Sequence, residues 1–361
     1  MRHIHQREAL NTEPFVSRLE NYQFGGCHAS HIGAIKSVLD FLGIHESTAW
    51  IFGMTGHAFM LVLDEHVNKP NSGTPEPELF ELAQNLGLQI EGLHAYAPAA
   101  DVQRLQEEAW AQARIAIRQG YPVFSKNIDI ENETSIIYAC DNAGYYTHSW
   151  HAGFGADGCD DVIPWNRLGM CECPCMECRT SRDAAPGRNP DQDAPILISL
   201  HWAKKMPPQA PAVSLRQALT FALSMNEQGQ YEQNNMRYYS GLSAYDHWIA
   251  KLEKGAIEAY CMGYYGEVWH ESKRYAHQFL IECQARIPET AIAAESLQEA
   301  IHYYKEISKK FKKVSDMFPW MQPRERIQDR ERRMAAVMLL KEIRRLEEKA
   351  FASLRKLAAS L

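Results

Sequence analysis

The sequence predicts an α+β fold in which a mixed half, built on a small antiparallel sheet, precedes an all-helical half. Three observations carry this. Short β-branched and aromatic runs flank the turn signal Asp141-Asn142-Ala143-Gly144, and apolar residues elsewhere recur at helical spacing. A polar, proline-rich break falls between about 180 and 212.

Residues 28–43 form the first helix, because Ile32, Ile35, Leu39 and Leu42 share one face and Gly43 supplies a C-cap. Residues 77–87 and 100–120 read as further helices. The runs 121–125, 135–140 and 144–147 are rich in Tyr, Ile and Val and read as short strands. The Asp141 turn joins the last two as a hairpin. Within the break, 196–200 is a lone apolar run, read as a strand between loops. Beyond it, helices are expected at 214–228, 240–262, 266–286, 290–315 and 324–360. Ile343, Leu346, Ala350, Leu354, Leu357 and Leu361 make one stripe on the last. That stripe suits a core-facing helix, or a seam through which the chain would form a homo-oligomer. The expected division is a 1–205 domain, with a cysteine-rich insertion at about 159–190, and a 212–361 domain.

A chain of 361 residues, 45% hydrophobic, can bury a sizeable core without disulfide staples. A formal charge of -7 and a pI near 6.1 argue against a general nucleic-acid binder. Residues 324–356 hold eleven Lys or Arg against six Asp or Glu, which reads as a solvated helix face laced with i,i+4 pairs. The N-terminal residues carry no apolar signal-peptide core, and no apolar run approaches the ~20 residues that span a bilayer. The expectation is a soluble, cytoplasmic protein. Nine cysteines, four of them crowded into 171–178, suit a reducing compartment better than a secreted disulfide scaffold.

The segment Gln23-Phe-Gly25-Gly26-Cys27-His28-Ala-Ser-His31 is the most informative in the chain. Two glycines let the backbone turn sharply, and Cys27 then sits at a helix start, where unsatisfied N–H groups and the dipole favour thiolate. Gln23 is placed to donate an amide N–H to a developing oxyanion. The plainer alternative is a structural cysteine behind a helix cap. His28 and His31 lie on the same turn as the thiol and are poorly placed to be its base.

Gly26-Cys27-His28, the helix to Leu42-Gly43, and Trp50-Ile-Phe-Gly-Met-Thr-Gly-His57-Ala-Phe59 together resemble the N-terminal domain of the butirosin-biosynthesis acyltransferase family. Gln119-Gly120-Tyr-Pro122-Val123, the run from Glu133 through Asp141 to Tyr146, and Pro164-Trp165-Asn-Arg-Leu168-Gly169 extend the likeness over roughly 20–200. That family is similar to papain-like and bacteriocin-leader-processing cysteine peptidases. The resemblance implies a papain-like fold with Cys27 opening the central helix. It also implies acyl transfer or amide cleavage through an acyl-enzyme. One departure stands out: Glu133-Thr134-Ser135 occupies the place where such peptidases carry a strand histidine. A base must then come from elsewhere, and His148, His151 and His57 are the candidates, with Asp141 a candidate to orient an imidazole.

Cys171, Cys173, Cys175 and Cys178 offer four thiolates within eight residues, a donor set that suits a structural zinc. The spacing is tight for one ion, so Cys159 or His151 is a candidate replacement ligand. A disulfide switch and an incidental cysteine-rich loop are the alternatives. In the helical half, Tyr245, Trp248, Tyr265 and Trp269 suit a pocket for an amphipathic ligand, or equally a helix–helix core. With His57 and Phe59 they are the candidate substrate-binding residues. Glu267, His270 and Glu271 share a helix face, too few ligands for a metal on their own.

The functional expectation is a cysteine acyltransferase or amide hydrolase working on a small amine, an amide or a carrier-bound acyl group. The alternatives are a catalytically inactive binding or structural protein, and a metal or redox protein using residues 171–178.

Overall fold

The computed structural model describes residues 17–150, 161–175, 178–179, 195–287, 293–320 and 322–361. His151 and Cys159 lie outside them. Ten strands and nine helices are defined among the described residues. The strands are β1 (Ser17–Arg18), β2 (Val62–Asp64), β3 (Leu88–Ala97), β4 (Val123–Lys126), β5 (Thr134–Cys140), β6 (Gly144–His148), β7 (Ile163–Pro164), β8 (Ile196–Lys205), β9 (Gln230–Gln233) and β10 (Met236–Ser240). The helices are α1 (Ser30–Phe41), α2 (Thr48–Met54), α3 (Glu76–Leu82), α4 (Ala99–Arg118), α5 (Pro211–Gln228), α6 (Gly241–Glu253), α7 (Ala259–Arg286), α8 (Ala294–Met317) and α9 (Arg330–Ser360).

Seven strands form an antiparallel sheet in the order β3-β8-β4-β5-β6-β7, with β1 added to β5. All seven residues of β5 are buried, as a central strand requires. One edge of β5 is shared: β4 pairs with its first half and β1 with its end. The β5–β6 turn forms as expected, and Asp141 Oδ1 accepts from the N–H of Ala143 at 2.7 Å and Gly144 at 3.1 Å. Glycine is required at 144 because a Cβ there would overlap the Ile163 carbonyl of β7.

The sheet is larger than the sequence suggested. β3 and β8 pair over ten residues each, from Leu88↔Lys205 to Ala97↔Ile196. Gly92 interrupts the apolar alternation of β3, which hides it from a period-2 reading. The short helix α2 was also not expected, although Ser47 caps it by accepting from Trp50 N–H at 2.9 Å.

The all-helical expectation for the second half needs correction. β9 and β10 form a hairpin around Asn234-Asn235, both in the left-handed region that such turns demand. β10 then pairs with β2 of the first half, Tyr239 facing Leu63. The expected 240–262 helix breaks after Glu253, where Gly255 at φ +66 turns the chain, and the expected 266–286 helix begins earlier, at Ala259. One hydrophobic core runs through both halves, so it is continuous across the 205–212 junction. No helix among the described residues is long and apolar enough to cross a membrane.

Candidate active site

Cys27 sits just before α1, after a turn in which Gly26 adopts φ +68. Gly25 N–H is anchored on Ser37 Oγ at 2.7 Å, so the Gly-Gly segment folds back along the helix it precedes. The thiol is nearly enclosed, with Cys27 3% exposed. Its carbonyl accepts from Trp150 Nε1, and the Trp150 ring stacks on His28 with centroids 5.1 Å apart. The segment after β6 therefore brings Trp150 to Cys27.

The opening of α1 is met from the other half of the chain. Glu271, on α7, accepts from the N–H of His28 at 2.8 Å and of Ala29 at 3.4 Å through one carboxylate oxygen. These N–H groups belong to the N-cap Ala29 and the residue before it, next to the thiol. Burial pushes the Glu271 carboxyl up to about 7, against the lowering effect of those N–H donors. Burial also raises the Cys27 thiol far above its ordinary value, and Glu271 is the charged group that adds most to that rise.

Behind this lies a buried polar network. Glu133, at the position where the resemblance would place a histidine, is buried just ahead of β5. It accepts from Tyr264 OH and, at 3.3 Å, from Asn71 Nδ2. Asn71 Nδ2 also donates to the His28 carbonyl at 2.9 Å, while Ser30 Oγ accepts from Thr134 N–H at 2.9 Å. Burial raises the Glu133 carboxyl, with Ser30 and Tyr264 opposing. Deeper in, Lys126 pairs with Glu76, and Glu76 lies 3.9 Å from His31 Nδ1.

The histidines expected as bases have other partners. His57 Nδ1 lies 3.2 Å from His31 Nε2, and burial drives His57 down to about 3, so it stays neutral at neutral pH. His148 packs against Tyr138, with centroids 4.3 Å apart and the rings tilted by 32°. Asp141 is committed to its turn and to Tyr146 OH at 2.8 Å, with no imidazole among its hydrogen-bond partners in the described residues. Gln23 is exposed, and its side chain makes no hydrogen bond to the start of α1. The position of His151 falls outside the described residues.

Phe59, Tyr245, Trp248, Tyr265 and Trp269 are buried in the core. Tyr265 OH donates to Asp64 Oδ2 at 2.5 Å, fixing the turn after β2, and Phe59 packs edge-on against Tyr304 and Phe279. Of the two readings of this aromatic wall, packing is the one the burial supports.

Cys173, Cys175 and Cys178 bring their Sγ atoms within 4.8 Å of one another, a group that could hold a metal ion. Cys171 is not in that group; it turns the chain at φ +56, and its N–H donates to the Asn127 carbonyl at 3.2 Å. Cys173 N–H donates to the Asp129 carbonyl at 2.9 Å, so the cysteine segment docks on the β4–β5 connection that ends in Glu133. Asp129 in turn accepts from Ser135 Oγ at 2.6 Å and Thr147 Oγ1 at 3.1 Å.

No family model matches the chain, and no curated protein shows significant similarity to it. The reading therefore rests on this geometry. Sequence reasoning had placed Glu271 only on a face with Glu267 and His270. Nothing local signals its pairing with residues more than 240 positions earlier.

Proposed function

We propose that this protein is a papain-like cysteine enzyme of a reducing, cytoplasmic compartment. It transfers or hydrolyses an acyl group through a thioester at Cys27, with a small amine, an amide or a carrier-bound acyl group as substrate. The observation that carries this reading is the Glu271 oxygen on the N–H groups of His28 and Ala29. Those donors, next to the thiol, accommodate a negatively charged oxygen. That is the demand a tetrahedral oxyanion makes. Further support comes from a cysteine two residues ahead of the N-cap of a buried helix that packs on a central antiparallel strand.

The test is acetylation by 4-nitrophenyl acetate, read peptide by peptide by mass spectrometry, with the other eight cysteines as controls. Selective acetyl-Cys27 that turns over to an added amine or water, and is lost in Cys27→Ser, supports the reading. A Cys27 that stays unmodified while surface thiols react sinks it and favours an inactive binding protein.

A second reading concerns the cysteine segment and is carried by the clustered thiols. Cys173, Cys175 and Cys178 hold a structural zinc, and Cys178 N–H donating to Cys175 Sγ at 3.3 Å is the kind of bond that supports a thiolate ligand. Elemental analysis of protein purified under reductant decides this: about one zinc per chain supports it, and a metal-free protein that keeps its fold overturns it.

A further inference from the structure

We propose that the groove where α5 ends against α6 and the β9–β10 hairpin binds a small organic diamine or polyamine. The groove holds about 450 Å³, room for a ligand of low molecular weight, and shares no residue with the site at Cys27. Its lining favours positive charge. Glu227 at the end of α5 and Asp246 on α6 contribute one carboxylate each, and no Lys or Arg lines the groove among the described residues.

The last turn of α5 adds to this. Gly229, at φ +69, closes the helix by donating its N–H to the Met225 carbonyl at 3.3 Å. The next three carbonyls, of Asn226, Glu227 and Gln228, accept no hydrogen bond among the described residues. They carry the negative end of the helix dipole into the groove lining. The start of α6 is the opposing positive end, and two of its N–H groups are already taken, Gly241 by the Leu61 carbonyl at 2.9 Å and Leu242 by Asn226 Oδ1 at 3.0 Å. Tyr239 and His247 form an aromatic wall, their rings stacked with centroids 4.0 Å apart, and ring faces attract cations. His247 Nε2 lies 2.9 Å from the Glu65 carbonyl, which can only accept, so Nε2 carries the proton. Burial keeps the imidazole neutral, which leaves Nδ1 as an acceptor with no partner among the described residues.

Each carboxylate also meets an arginine of α9. Asp246 accepts from Arg344 at 2.6 and 3.0 Å, and Glu227 from Arg355 at 3.0 Å. These exposed pairs hold the carboxylates in place and contribute little to stability. A carboxylate accepts about four hydrogen bonds, so both keep lone pairs for an ammonium N–H. Two anions on two helices call for two cationic centres in one ligand, which a diamine or polyamine supplies and a monoamine does not.

The experiment is isothermal titration of the full chain with spermidine at low ionic strength. Saturable binding of one spermidine per chain is expected, weakening as salt is added. Glu227→Gln and Asp246→Asn should each weaken it by about 10-fold or more, and the double variant should abolish it. Both side chains are more than half exposed, at 58% and 57%, so these variants keep the fold. Arg344→Ala and Arg355→Ala break the same ion pairs but spare the carboxylates, and should bind spermidine as tightly as wild type or more so. Absence of saturable binding in wild type overturns the proposal. So does binding that survives in the double variant, which is diffuse attraction to a chain of net charge -7. A loss in the arginine variants equal to that in the carboxylate variants overturns it as well, because the ion pairs rather than the acceptors would then be what matters. Competition by phosphate as strong as by putrescine would make the site an anion site and overturn the ligand class.

Discussion

Lys273 of α7 and Glu347 of α9 form an ion pair at 2.7 Å with side chains 0% and 1% exposed. Tyr304 of α8 completes it, its hydroxyl donating to Glu347 at 3.5 Å and its ring lying 5.6 Å from the Lys273 ammonium. Burial lowers the Lys273 value and raises that of Glu347, each partner opposing the shift in the other. Removing one charge strands the other without solvent. Lys273→Met should destabilise the protein by about 3–5 kcal/mol, and Lys273→Met/Glu347→Leu should recover most of that loss. Equilibrium denaturation in urea checks both, and a single variant as stable as wild type would refute the role given to the pair.

Gly53 of α2 lies flat on the Phe279 ring of α7, and a Cβ at that position would overlap three ring carbons. Glycine costs a helix interior about 1 kcal/mol relative to alanine, so a bare helix would gain from the change. Here the buried, close-packed ring reverses the sign. Gly53→Ala should destabilise by about 1–3 kcal/mol, and Phe279→Leu in the same chain should relieve part of it. Thermal unfolding of the three variants tests this.

Glu271 gives stability a distinctive pH dependence. Its folded value of about 7 stands above the ordinary 4.5, so the folded state binds the proton more tightly. Its contribution is complete below 4.5 and is lost as pH rises through 7. Glu271→Gln should match wild type in acid and exceed it by about 2–3 kcal/mol at alkaline pH. His57 acts in the opposite sense. Its value falls from 6.5 to about 3, so its contribution is present above 6.5 and is lost as pH falls toward 3. Denaturation midpoints across pH should therefore be highest between about 4.5 and 6.5, where the two slopes cancel, and decline on either side.

The cysteine segment holds the β4–β5 connection through Cys171 on Asn127 and Cys173 on Asp129. A chelator, or Cys175→Ser, should release the zinc proposed for Cys173, Cys175 and Cys178 and speed amide exchange across 127–133, while exchange in α8 and α9 stays unchanged. Unchanged exchange in that connection after demonstrated zinc loss would dissociate the metal from the loop.

Local patterns made much of this legible. The apolar spacing from Ile32 to Leu42 predicts α1 and Asp141 to Gly144 predicts the hairpin, while Cys27, expected at the start of α1, lies two residues ahead of its N-cap Ala29. Each is settled by residues within one or two turns of each other. Asn234-Asn235 carried a hairpin signal just as local, obscured by the helical periodicity on either side of it.

Long-range packing decided the rest. Whether Trp248 and Tyr265 line a pocket or fill a core depends on what α8 and α9 lay over them, which their own spacing does not encode. His57 looks like a loop histidine until α1 brings His31 to within 3.2 Å of it. Glu271 looks like a surface acid on α7 until the fold sets it on the N–H groups of His28 and Ala29. Periodicity records which face of an element is apolar. Which partner meets that face, and what burial then does to a carboxyl or an imidazole, is determined only when the whole chain has closed around it.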